Sequence, residues 1–262
     1  MRFEIIPNLS EGRNAATIAA AIDAVDATGA RVVDWSSDEA HHRSVLTIIG
    51  DGAQVLDAAI ALTAIALERI DLRKHSGLHP RIGALDVLPF VPLEGATLED
   101  AARLAHRAGA AIWERYRIPS FYYGAAARAS ERFLLPAVRS NLDWMPDEGD
   151  VLRHVSAGAI AIGARDILIA FNIELAGADL APARRIARAI RESDGGFRTL
   201  RALALPRGDR VQVSLNVTNY AATPLYRIVE LVRSLAAQLG VELLGCELVG
   251  CLPLAAVEAT AA

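Results

Sequence analysis

A mixed α/β (α+β) chain made of two successive split β-α-β-β-α-β units is the architecture this sequence predicts, and three observations predict it. Strand-type and helix-type periodicities follow one another in the order β-α-β-β-α-β over residues 3–91. The same order returns over residues 167–248. In both halves two strand patterns stand next to each other between the helices, whereas a doubly wound parallel sheet needs strand and helix to alternate throughout.

The first repeat opens with Phe3 to Pro7, which alternates apolar and polar residues like a strand; Ala15 to Ala27 is alanine-rich and helical. Arg31 to Trp35 and Val45 to Gly50 read as a pair of strands. Ala53 to Arg69 then carries Val55, Leu56, Ala59, Leu62, Ile65 and Ala66 at helical spacing, and Val87 to Val91 reads as the closing strand. In the second repeat Ile167 to Leu175 is a strand and Ala181 to Ile190 a helix. Thr199 to Leu205 and Val211 to Val217 form a strand pair turned by Gly208 and Asp209, followed by a helix over Leu225 to Leu239 and a strand over Val241 to Leu248. Two such split units are the signature of a duplicated ferredoxin-like fold, whose antiparallel sheet carries its helices on one face.

Between the repeats lie an amphipathic helix, Thr97 to Arg115, the run Ser120 to Tyr123, and a polar stretch from Arg139 to Gly158 that reads as the linker. The expected subdomains are residues 1–164 and 165–262, meeting near 158–166, with a small ligand in the cleft between them.

Composition narrows the function classes. The 262 residues are 53% hydrophobic and 22% charged, enough apolar material for one large core or two smaller ones. No window reaches the roughly 18 apolar residues of a membrane span, and no signal pattern opens the chain, so a cytoplasmic protein without a membrane partner is expected. The net charge is −4 and the arginines are scattered through helical patterns without interleaved aromatics, which argues against nucleic acid. Cys246 and Cys251 are too few for a disulfide framework or a structural zinc site and read as reduced core residues.

The densest chemistry lies in Arg73-Lys74-His75-Ser76-Gly77-Leu78-His79-Pro80-Arg81-Ile82-Gly83. His75 and His79 have helical metal-pair spacing, but Gly77 and Pro80 oppose a helix and no third ligand lies nearby, so no metal is expected. A solvated loop closing a helix C-terminus is the plain alternative. An imidazole, with its ordinary pKa of about 6.5, is suited to take and return a proton. His41-His42-Arg43 is a second polar cluster, open to a surface or an anion-binding reading. Asn172, Asn216 and Asn219 fall in or at the end of strand patterns, where a buried amide takes a ligand or the backbone as partner. A Gly-x-Ser-x-Gly elbow and a phosphate loop are both missing.

Several runs then resemble one family: Pro7-Asn8-Leu9-Ser10-Glu11-Gly12; His79-Pro80-Arg81-Ile82-Gly83-Ala84-Leu85-Asp86; Tyr123-Gly124 with Ala126-Ala127-Arg128; Leu135-Pro136-Ala137-Val138-Arg139; Ala170-Phe171-Asn172; Gln212-Val213-Ser214 with Asn216; and Glu247-Leu248-Val249-Gly250. Nearly end to end, the chain resembles the formiminotransferase domain of formiminotransferase-cyclodeaminase and its free-standing bacterial relatives. The resemblance implies two ferredoxin-like subdomains holding tetrahydrofolate as co-substrate, and a glutamate formimidoyltransferase acting on N-formimino-L-glutamate in histidine degradation. It implies His79 as the acid/base and a folate loop aligned with Gly149 to Gly158. Asn8, Ser10 and Glu11 are expected to border the folate, with Asn172 and Asn216 as further candidate contacts. Arg43 and Arg81 are the candidates for substrate carboxylates, because a guanidinium can bind a carboxylate through two parallel hydrogen bonds. The readings leave room for a homodimer. Ser36, Leu78 and Ala125 stand where the family often has carboxylates, which keeps open a related folate-dependent formyl transferase or a non-catalytic folate-binding homologue.

Overall fold

The computed structural model describes residues 1–39, 41–77, 80–141, 143–150 and 153–261. The chain separates into two compact units, Met1–Asp166 and Ile167–Ala262.

The first unit begins with β1 (Arg2–Ile5) and β2 (Asn8–Leu9), two pieces of one line, both lying between β4 (Arg43–Asp51) and β5 (Leu85–Pro92). Helix α1 (Ala15–Asp26) leads to β3 (Arg31–Asp38), which pairs with β4, and α2 (Gly52–Arg69) leads to β5. The antiparallel order β3-β4-β1-β5 is the split β-α-β-β-α-β arrangement. Capping explains the helix starts. The Asn14 side chain accepts from Ala16 and Thr17, and Asp51 with Gln54 closes a reciprocal box at α2.

Helix α3 (Leu98–Tyr116), β6 (Ser120–Gly124), α4 (Leu135–Ser140) and β7 (Ile160–Ala164) complete this unit. β7 inserts between β5 and β6, parallel to both. All five residues of β6 and all five of β7 are buried, as expected of strands covered on both faces. One face carries the main core under α1, α2 and α3; the other carries a smaller cluster of Ile82, Val87, Phe121, Tyr123 and Val138, with Leu135 and Trp144 against it. The polar stretch from Arg139 to Gly158 is therefore a connection inside the first unit, between α4 and β7, and not a linker between units. Alternation of polarity could not reveal strands that bury both faces.

The second unit comprises β8 (Ile169–Leu175), α5 (Leu180–Ile190), β9 (Leu200–Arg207), β10 (Arg210–Val217), α6 (Leu225–Gln238), β11 (Leu243–Val249) and α7 (Leu254–Ala261). Its antiparallel sheet has the order β11-β8-β10-β9, the same split pattern with its own core. Arg184, Arg185 and Arg188 lie on the exposed face of α5. Cys246 and Cys251 are exposed, correcting the expectation that both are core residues. Cys246 shares the exposed face of β11 with Leu244 and Leu248, and Cys251 lies beyond that strand.

Among the described residues no helix is long and apolar enough to cross a membrane, and no three His, Cys, Asp or Glu side chains are grouped to hold a metal ion.

Candidate active site

Three parts of the first unit converge at the end of β2: residues 10–14, the described residues of the β3–β4 turn (38–39 and 41–43), and residues 72–77, which include η1 (Leu72–Lys74), with 80–83. Ser10 ties two of them together. Its N–H donates to the Ala84 carbonyl at 2.8 Å and its Oγ to the Gly83 carbonyl at 2.7 Å, with only 1% of the residue exposed. Ser44 Oγ donates to the Glu11 carbonyl. A side chain at Gly12 would overlap the Asp38 carbonyl, and one at Gly77 would sit 2.7 Å from both the His41 carbonyl and Arg81 Nη2, so glycine permits the close approach in both places.

Asp86 is the hub of this site. The β2–β5 register places Asn8 opposite Val87 but Leu9 opposite Leu85, so Asp86 is the extra residue of a bulge. Bulges re-aim side chains, and this one lets a carboxylate leave a strand that is otherwise apolar. Asp86 Oδ1 accepts from the Ile82 N–H at 2.6 Å; Oδ2 accepts from Arg43 Nη1 and Arg139 Nη2, each at 2.6 Å. Asp86 is fully buried. Burial alone would push its carboxyl up, but Arg43, Arg139 and the Ile82 N–H outweigh that and hold it below the ordinary aspartate value. Arg43 also donates through Nε and Nη2 to Asn8 Oδ1, at 3.2 and 2.8 Å. Three of the roughly five N–H groups of a guanidinium are thus engaged within the protein, which holds the Arg43 side chain in one orientation.

Beside this hub lies an imidazole cluster. The Gly12 N–H donates to His42 Nδ1 at 3.0 Å, so a neutral His42 carries its proton on Nε2. Glu11 Oε1 lies 3.4 Å from the same nitrogen, farther than the amide, and accepts from Arg13 and Asn14 N–H groups at 2.7 and 2.9 Å. Burial raises the Glu11 carboxyl; those backbone donors and His42 bring it below its ordinary value. The His42 and His75 rings stack with centroids 4.0 Å apart. Arg81 Nη1 lies against His75, 2.6 Å from Nε2, and Arg81 Nη2 donates to the His41 carbonyl at 3.2 Å. Burial lowers the pKa of both imidazoles, and neighbouring Arg81 lowers each further.

Of the residues singled out in the sequence, Asn8, Ser10, Glu11, Arg43 and Arg81 belong to this convergence. His79 and Leu78 lie outside the described residues; His75 and Arg81 flank them in the chain. Gly149 and Gly158 are far apart in role. Gly149 packs against Trp113 and Pro119, whereas Gly158 crosses Gly83, and a Cβ on Gly158 would overlap the Ile82 carbonyl. The crossing is fixed by Ala84 N–H to the Ala157 carbonyl and Ala159 N–H to the Ile82 carbonyl, both 2.9 Å. Asn172 and Asn216 lie in the second unit, on β8 and β10; Asn172 Nδ2 donates to Glu247 Oε2 at 3.1 Å. Two residues of the site were not among the candidates. Asp86 had a signal, as the one charge in Leu85–Pro92; Arg139 stood in a family-like run, but its pairing with a residue 53 positions away left no local trace.

Comparison with known proteins matches residues 2–165 to the formiminotransferase domain, N-terminal subdomain, and residues 170–262 to the formiminotransferase domain. The chain belongs to the formiminotransferase family. Among the relatives of this formiminotransferase-family chain, a glutamate formimidoyltransferase of Streptococcus pyogenes serotype M1 is 38% identical over 95% of this chain and 88% of its own length. One from Thermoplasma acidophilum is 40% identical over the same shares. The formimidoyltransferase-cyclodeaminase of Rattus norvegicus is 34% identical over 99% of this chain, which covers 51% of that longer protein.

Proposed function

We propose that this chain is a glutamate formimidoyltransferase, transferring the formimino group between N-formimino-L-glutamate and tetrahydrofolate. The observation that carries the reading is the family match running through both subdomains, with 88% of two glutamate formimidoyltransferases covered. The site chemistry supports it. Both substrates bear carboxylates, and Arg43 and Arg81 stand at the convergence of the three segments as cations already oriented by Asn8, Asp86 and the His41 carbonyl.

In the proposed reaction N5 of tetrahydrofolate attacks the amidine carbon, forming a new C–N bond and a tetrahedral intermediate. The bond to the glutamate nitrogen then breaks. One proton leaves N5 and one reaches the departing amine, and His79 is assigned both transfers. Positioned proton transfer of this kind contributes roughly 10²- to 10⁴-fold. Orientation of the two substrates supplies the larger share of the acceleration. Arg43, fixed on Asp86 and Asn8, and Arg81, fixed against His75, are assigned to the substrate carboxylates.

Incubation with N-formimino-L-glutamate and tetrahydrofolate tests the reading by formation of 5-formiminotetrahydrofolate. Failure to form it, with both substrates present and the protein folded, would overturn the assignment.

A further inference from the structure

His42 has no part in the proton transfers assigned above, yet it is more tightly held than a surface histidine of a turn. Its Nδ1 is occupied by the Gly12 N–H, its ring lies on His75, and Gly77 approaches it closely enough that an added Cβ would be 2.9 Å from the His42 Cβ. Together those contacts join three segments. Gly12 belongs to the turn after β2, His42 to the β3–β4 turn, and His75 and Gly77 to the stretch that leads into His79.

We propose that His42 is a positioning residue: its neutral imidazole, anchored on Gly12 and stacked on His75, clamps the segment leading to His79 against the β3–β4 turn. The clamp accepts only neutral rings. A proton on His42 Nδ1 would displace the Gly12 N–H, since that nitrogen would then be a donor. Protonation of both rings would place two cations in a 4.0 Å stack. The charged groups around the pair are Arg13 and Arg81, which oppose further positive charge, and Glu11, which favours it but is already engaged by backbone N–H groups. Asp38 is paired with His41 at 2.9 Å.

The sign follows from the depressed values. Opening the clamp returns the imidazoles to ordinary titration, so the open form takes up protons first as pH falls below 6.5, the ordinary value. The clamp is fully stable above that pH, loses stability as pH falls toward the depressed values, and levels off below them. Catalytic competence is thereby coupled to the charge on His42 and His75, separately from the protonation of His79.

The inference rests on the proposed transferase reading for its kinetic arm only. The variants are His42→Ala and His42→Asn, the latter keeping an acceptor for the Gly12 N–H without an imidazole charge. Amide hydrogen exchange over residues 73–77 and 81–83 is the arm that needs no activity. The His42→Ala protein should exchange faster there at pH 8, after correction for intrinsic rates, and the wild type should move toward that behaviour as pH falls below the ordinary imidazole value of 6.5. Unchanged protection in both comparisons would overturn the clamp whatever the protein catalyses. In the formimino-transfer assay at pH 8, His42→Ala should lower kcat by about 10-fold with KM nearly unchanged, less than the roughly 10²-fold that a full 1 Å misplacement of a catalytic group costs. His42→Asn should recover most of kcat and show a shallower loss below pH 6.5, the ordinary imidazole value. A wild-type kcat and pH profile in His42→Ala would overturn the positioning role. Absence of transfer in the wild type would instead refute the proposed function and leave the exchange result to decide the clamp.

Discussion

Arg43 Nη1 and Asp86 Oδ2 stand 2.6 Å apart although 43 residues separate them, and the same carboxylate oxygen takes Arg139. Asp86→Ala would leave two partly buried guanidinium groups sharing no anion, and breaking a buried pair this way costs about 3–5 kcal/mol. Urea unfolding at neutral pH should show that loss, with Asp86→Asn retaining part of the stability through its amide oxygen. Because the Asp86 pKa lies below its ordinary 3.8, its contribution is fully present above that value and is lost as pH falls through the lowered one. Over that acidic window the Asp86→Asn protein should lose stability less steeply than the wild type.

His79→Ala should lower kcat by about 10²-fold or more while folate binding changes less, since the proton transfers belong to the transition state. His75→Ala should cost less, because His75 contributes through its stack on His42 and its contact with Arg81. Steady-state kinetics beside a folate-binding titration would check both. Equal kinetic losses from the two substitutions would count against His79 as the acid/base.

Arg43→Lys should raise KM for N-formimino-L-glutamate more than it lowers kcat, by about 10-fold, the equivalent of one charge-assisted hydrogen bond. A lysine ammonium cannot reproduce the forked contact that joins Asn8 and Asp86. A variant with wild-type KM would remove Arg43 from the carboxylate-binding role.

Gly83→Ala should destabilise the protein by about 1–3 kcal/mol, the usual cost of overpacking. The new methyl group would run into the Ala159 carbonyl, where the Gly149–Gly158 loop enters β7. Thermal unfolding would measure this. A variant as stable as the wild type would show that the crossing of Gly83 and Gly158 yields easily.

The sequence by itself determined the two repeats, because strands and amphipathic helices announce themselves through local periods of polarity, and Phe3, Ile5, Leu46 and Ile48 point into the core as alternation requires. It also marked Asn8, Arg43 and the His75–Gly83 run, whose density of cations and imidazoles is foreign to a core. The tertiary structure decided what pairing over distance decides. β6 and β7 are buried on both faces, so no alternation betrays them, and their sheet position turns an apparent linker into an internal loop. Asp86 faces Arg43 and Arg139 because one bulge in β5 re-aims it, and His42 meets His75 because two turns far apart in the chain pack together around glycines. Contacts of that kind depend on register and close approach, which short-range patterning of residues does not encode.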